Sequence, residues 1–99
     1  MKVNINSVHF KTDKSLDLFI NEKVGKLSSI YDGLIGSDVT LKVINSDKPE
    51  NKLAEVRLII RGYDLYAKKQ CKTFEEATDS AVDALRKQLS KHKEKLKKH

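Results

Sequence analysis

Apolar residues recur with two periods along this chain of 99 residues, and the switches between periods outline its elements. Val3 and Ile5 alternate with polar neighbours, which predicts a strand over 2–8. Thr12 or Asp13 can cap a following helix. Leu16, Phe19, Ile20, Val24, Leu27 and Ile30 then step by three and four, the single stripe of an amphipathic helix. Asp32-Gly33 and Gly36 break that pattern. Alternation returns over 38–45, with Val39, Leu41 and Val43 on one face. A polar stretch with the only proline, Ser46 to Asn51, predicts a loop. A strand over 53–61 is expected to bury Ala54, Val56, Leu58 and Ile60. Arg61-Gly62-Tyr63-Asp64 turns it into a hairpin partner over 65–71, with Leu65, Ala67 and Cys71 inward.

Thr73-Phe74-Glu75-Glu76 has the spacing of a capping box, so a second helix should start there. Its stripe is Phe74, Ala77, Ala81, Val82, Leu85 and Leu89, with Leu96 as an outlier. The stripe thins after Leu89 just where lysines thicken, so the last turns should extend past the core. The order is β-α-β-β-β-α. A strand–helix–strand unit of this kind makes a right-handed crossover between parallel strands. Two antiparallel additions complete a four-stranded sheet with both helices on one face, an α+β two-layer sandwich. The other face should show Lys42, Glu55, Arg57, Arg61 and Lys68 to solvent. The length fits one domain over 1–99.

Charge sharpens the picture because of where it sits. Residues 1–85 hold thirteen basic and thirteen acidic residues, which cancel. From Arg86 onward stand seven basic residues and one acid, Glu94, so the whole excess of +6 lies in the last fourteen residues. Lys87, Lys91, Lys95 and Lys98 step by four, four and three and align along one side of a helix, flanked by Arg86, Lys93 and Lys97. Like charges at this spacing repel, and a phosphate backbone relieves that repulsion while releasing counterions. The same charge also suits a solvated tail that aids solubility and complements the helix dipole. Lys23 and Lys26, off the stripe of the first helix, either extend the basic surface or are ordinary surface lysines. Aromatic residues for stacking bases are scarce, with Tyr66 alone in mid-strand, so the expected reader is one of phosphate and 2′-hydroxyl groups.

Catalytic chemistry finds little support. His9, His92 and His99 lack ligand spacing, and one cysteine makes neither a disulfide nor a zinc site. No metal or cofactor is expected. Cys71 faces inward, where a thiol behaves as a small apolar residue. Asp79 and Asp83, four apart on one helix side, read as surface residues with lysine partners, not as a catalytic pair. The glycines form no phosphate loop or dinucleotide fingerprint. The expectation is therefore a non-enzyme without a small-molecule substrate. With no signal peptide and no membrane-length apolar run, a cytoplasmic location is expected.

The residues resemble a family, the bacterial ribosome hibernation-promoting factors, also called ribosome-associated inhibitors or sigma-54 modulation proteins. The likeness rests on Ile5, Lys23-x-x-Lys26-Leu27, Ala54-Glu55-Val56 and Gly62-x-x-Leu65-x-Ala67. It continues through Ala77-x-Asp79, Asp83-x-Leu85-x-Lys87-Gln88-Leu89, Lys91 and Lys93. The resemblance implies a double-stranded-RNA-binding-like fold in the short form of the family, free as a monomer. It implies docking on the small ribosomal subunit and its 16S rRNA, over the mRNA channel and tRNA sites. Bound there, such a factor would silence translation in stationary phase or stress. The expected RNA-binding residues are Lys23, Lys26, Arg86, Lys87, Lys91, Lys93 and Lys95. Three positions depart from the family: Glu75 stands where an aromatic is usual, Thr78 where isoleucine is, and Ala84 where lysine is. Two other readings stay open on the residues alone: a general double-stranded-RNA binder, and an adaptor whose basic helix meets an acidic protein or an anionic membrane.

Overall fold

The computed structural model describes residues 1–45 and 47–97, with the side chains of all of these except Tyr63 and residues 94–97. Strand β1 (Lys2–Ser7) leads into helix α1 (Lys14–Gly25), which tightens into a 3-10 turn over Lys26–Ser29. Strands β2 (Leu34–Val43), β3 (Lys52–Ile60) and β4 (Tyr63–Cys71) follow, then helix α2 (Phe74–Lys97). The sheet order is β1-β2-β3-β4. β1 pairs parallel with β2, and the other two pairings are antiparallel. This is the α+β arrangement that the hydrophobic periods predict.

Both helices cover one face of the sheet. Ile20, Val24 and Leu27 from the first helical segment join Val39, Leu41, Ala54, Val56, Leu58 and Ala67 from the strands in one cluster. Phe74, Ala77, Ala81, Val82, Leu85 and Leu89 complete it from α2. All four inward residues named for β3 are buried. Val43 keeps the predicted face but is 52% exposed, because it stands at the strand end beyond the residues that pack on the core.

The helix starts follow their caps. The Asp13 carboxylate accepts from the Leu16 amide at 2.7 Å, while the Thr12 hydroxyl donates to Asp17 at 2.6 Å. In α2 the Glu76 amide donates to the Thr73 hydroxyl at 3.1 Å, one half of the capping box. Two turns use a positive φ. Gly62, at +102°, makes the two-residue β3–β4 turn, where a residue without Cβ carries no steric cost. His9, at +64°, reverses the chain after β1, and the next residue, Phe10, stacks on Phe74 at 5.0 Å.

β2 begins four residues earlier than the alternation predicts. Leu34 pairs with Ile60 and Gly36 with Ile59, so one extra residue, Ile35, is bulged out and 61% exposed. A Cβ at Gly36 would stand 3.2 Å from the Lys2 carbonyl oxygen, so glycine marks a close strand approach here and not a strand break.

Thr78 carries a defect in an otherwise apolar interface. Its side chain is fully buried, and its hydroxyl has no hydrogen-bond partner. A buried hydroxyl without a partner keeps its desolvation cost uncompensated. Thr78→Val keeps the shape and removes that cost, so it should stabilise the fold by roughly 1 kcal/mol. For a domain of this size that raises the melting midpoint by about 4–8 °C in thermal unfolding.

Candidate nucleic-acid interface

The basic residues take their positions from how α1 and α2 lie together. Glu75 shares a surface cleft with Asp13, Leu16 and Phe19 at the start of α1. Asp79 meets Lys23 at 3.4 Å further along. His92 packs edge-on against Tyr31 at 5.2 Å, and Lys93 borders a hollow with Ser29, Ile30, Tyr31, Asp32 and Gly33. The two helices therefore run side by side in the same sense. α2 is the longer, at about 36 Å for its 24 residues. Its last fully buried residue among those described is Leu89, and the helix continues eight residues further.

A continuous helix turns about 100° per residue. Arg86 and Lys93, seven apart, lie above one another on the flank that faces α1 and its 3-10 turn. Lys87, midway between the buried Leu85 and Leu89, points away from the core, and Lys91, four residues on, leans from there towards the flank of β4. There the Gln88 side-chain amide donates to the Tyr66 carbonyl at 3.1 Å. The structure thus divides the expected basic surface in two. Lys23, Lys26, Arg86 and Lys93 belong to the α1–α2 side and Lys91 to the β4 side, with Lys87 on the outward ridge between them. The side chain of Lys95, with those of Leu96 and Lys97, and the whole of Lys98, lie outside the described residues.

Acids of the same chain hold several of these cations. Lys26 lies 3.8 Å from Glu22. Arg86 and Lys87 share the Asp83 carboxylate, at 3.8 Å and 3.6 Å. Asp79 and Asp83 thus each have a basic partner, Lys23 for the first and Arg86 with Lys87 for the second. These pairs are long and solvent-exposed, so each is weak and easily exchanged. Lys23 is the most enclosed, at 33% exposure, and also stands 5.6 Å above the Phe19 ring. Among the described residues, Lys91 and Lys93 make no ion pair.

The far face of the sheet has a different character. The register aligns Asn4, Asp38, Arg57 and Tyr66 in one row and Asn6, Thr40, Glu55 and Lys68 in the next. Asn4 donates to Asp38 at 3.1 Å, Lys42 pairs with Glu55 at 3.7 Å, and Arg57 pairs with Asp64 at 3.8 Å. The Tyr66 phenol is held above its usual pKa, first by partial desolvation and then by the neighbouring Glu55. Opposite charges largely cancel across this face, so it offers a polyanion much less than the helical side does. Among the described residues no three His, Cys, Asp or Glu side chains converge as metal ligands do. No described helix is long and apolar enough to cross a membrane.

Sequence reasoning identified the lysines of the helices as RNA contacts and gave those of β4 no such role, placing Lys68 only on the open face of the sheet. Lys68, Lys69 and Lys72 are all exposed, three cations within five residues. Their signal in the sequence was local density without an intervening acid, masked by the exact charge balance of residues 1–85.

Comparison with known proteins sets this geometry in context. The family model described as sigma 54 modulation protein / S30EA ribosomal protein matches residues 3–97. A protein of Pseudomonas putida named ribosome hibernation promoting factor is 33% identical over 95 residues, covering 96% of this chain and 89% of its own. One of the same name from Escherichia coli is 29% identical over 99 residues, the full length of both. The solved structure of a ribosomal subunit interface protein from Coxiella burnetii shares the fold, with a TM-score of 0.82 at 15% identity. That match covers 94% of this chain and 98% of the other.

Proposed function

The chain belongs to the sigma 54 modulation protein / S30EA ribosomal protein family, and we propose that it is a ribosome hibernation factor that silences translation by occupying the small subunit. The observation that carries this reading is the end-to-end likeness to relatives named for ribosome hibernation, over 96–100% of the chain. The geometry supplies a mechanism. A charge-balanced body, anchored by the sheet and α1, holds out a rigid helix on which the net charge is concentrated. That helix lies against phosphates of the 16S rRNA, with Lys87 and Lys91 on its outward ridge and β4 side, and Arg86 and Lys93 beside Lys23 and Lys26 of the first helical segment. Lys95 continues the first row by its helical spacing. The weak pairs to Glu22, Asp79 and Asp83 keep these side chains extended until phosphates replace the carboxylates. The body then fills the channel that mRNA and tRNA need, so silencing is steric and requires no bond chemistry. The protein works in the cytoplasm as a monomer until it meets the subunit.

Two measurements test the proposal. In sucrose gradients of stationary-phase lysate, the protein should migrate with ribosomal particles. Migration only at the top of the gradient would refute the function. For purified small subunits, contact with about four to six phosphates predicts a steep salt dependence. Affinity should fall by roughly two to three orders of magnitude between about 50 and 200 mM salt. A flat response would exclude phosphate contacts as the main source of affinity. A naked RNA duplex that competes as well as intact subunits would instead identify a general duplex binder.

A further inference from the structure

We propose that the exposed rim of the sheet, strand β4 with Lys68, Lys69 and Lys72, is a second phosphate-binding row that extends the helical one along the RNA backbone. This inference rests on the RNA-binding function proposed above and adds a surface to it. β4 is an edge strand, so one side of its backbone has no partner strand. Ala67 is buried against the helices, so alternation turns Lys68 to the open face and Lys69 to the helical face. Lys72 follows the strand end. The three cations thus fan around one rim instead of lining one face, and all three are exposed. Glu55 is the residue across from Lys68 in the register, yet the ion pair formed there joins Glu55 to Lys42. Among the described residues Lys68, Lys69 and Lys72 make no ion pair.

The rim is continuous with the basic flank of α2. The helix starts three residues after β4 ends and runs back along it, until Gln88 reaches the Tyr66 carbonyl. That bond shows the Tyr66 carbonyl turned out of the sheet. Backbone groups of an antiparallel strand alternate, so those of Lys68 and Gln70 are turned out as well. Their amides are donors set between the lysines. Lys72 to Tyr66 spans about 20 Å along the strand, and Lys91 stands about one turn, ~5 Å, beyond Gln88. Cations therefore border the rim from Lys72 through Lys69 and Lys68, with Lys91 beyond Gln88 on the helix and Lys87 on the outward ridge beside it.

Lysines on an edge strand also discourage unwanted strand pairing. The opposite edge shows how little that role requires. β1 exposes Lys2 with Asn4 and Asn6, one cation where β4 and the residue after it have three within five residues. The density, the lack of paired acids and the continuity with Lys87 and Lys91 fit an extended polyanion.

The test compares the parent protein with K68Q/K69Q/K72Q, K68R/K69R/K72R and K87E/K91E. Binding to purified small ribosomal subunits is measured across a salt series, and circular dichroism verifies each fold. The glutamine variant should lose about two to three from the log–log salt slope and bind at least tenfold more weakly near 150 mM salt. The arginine variant should keep the parental slope. Parental slope and affinity in the glutamine variant, with K87E/K91E defective, would overturn the rim while leaving the helical site standing. The same holds if the glutamine variant merely aggregates at parental slope, or loses only retention on immobilised poly-glutamate, which would assign the rim to an acidic protein. If K87E/K91E also binds as the parent does, the RNA-binding reading itself fails.

Discussion

K87E/K91E should remove the protein from the small-subunit peak of a sucrose gradient while leaving its melting curve nearly unchanged. Both side chains are exposed, so neither contributes to the core. The structural cost is confined to the loss of the Lys87–Asp83 pair and a new like-charge contact between positions 83 and 87, a few tenths of a kcal/mol. Surface changes of this kind stay within about 0.5 kcal/mol each. The electrostatic cost is far greater. Two cations that each neutralise a phosphate become two anions that repel one, a difference of four charges at the contact. Affinity near 150 mM salt should fall at least about a hundredfold, and the salt slope should flatten by two or more. Glutamine at both positions should give an intermediate loss. Normal co-sedimentation of the folded glutamate variant would show that this flank of α2 faces away from RNA.

Much of the fold was legible because burial imposes a period, and the period survives in the sequence. Val39 and Leu41, and Ala54 through Ile60, alternate because one face of their strands is covered. Ile20, Val24 and Leu27 step by four and three because one side of their helix is. The start of β2 was not legible. Gly36 looks like a chain breaker, and only the approach of the Lys2 carbonyl shows it to be a close-packed strand residue beside a bulge. The 3-10 turn was hidden for a related reason: Leu27 keeps the helical spacing, while the Ser28 and Ser29 hydroxyls bond the Gly25 and Lys26 carbonyls at 2.7 Å.

The candidate interface was legible to the level of helical angle and no further. Spacing puts Lys87 and Lys91 on one side and Arg86 and Lys93 on another, but it cannot say which side meets α1. That depends on the packing of α1 beside α2, which the Lys23–Asp79 pair and the Tyr31–His92 contact report. The lysines of β4 were hidden by arithmetic. Summed charge treats residues 1–85 as neutral, whereas the edge strand β4 and the residue after it gather three cations that make no ion pair among the described residues.

Leu85→Ala should produce the largest stability loss of any single change considered, and it separates folding from charge as a cause of lost binding. Leu85 is fully buried in α2, one helical turn before Leu89 and within the cluster formed with the strands. Truncation removes three buried carbons and leaves a cavity that the rigid sheet can fill only in part. Comparable core substitutions cost roughly 2–5 kcal/mol. A domain of this size has about 5–15 kcal/mol in total. A cost near 3 kcal/mol lowers the melting midpoint by roughly 15 °C, read by calorimetry or circular dichroism. The lysines remain in place, so cooling well below the new midpoint should restore subunit binding and the parental salt slope. K87E/K91E should show no such rescue at any temperature. If Leu85→Ala melts within about 3 °C of the parent, α2 is not packed on the sheet through this residue. The rigid support that the basic helix needs would then be missing.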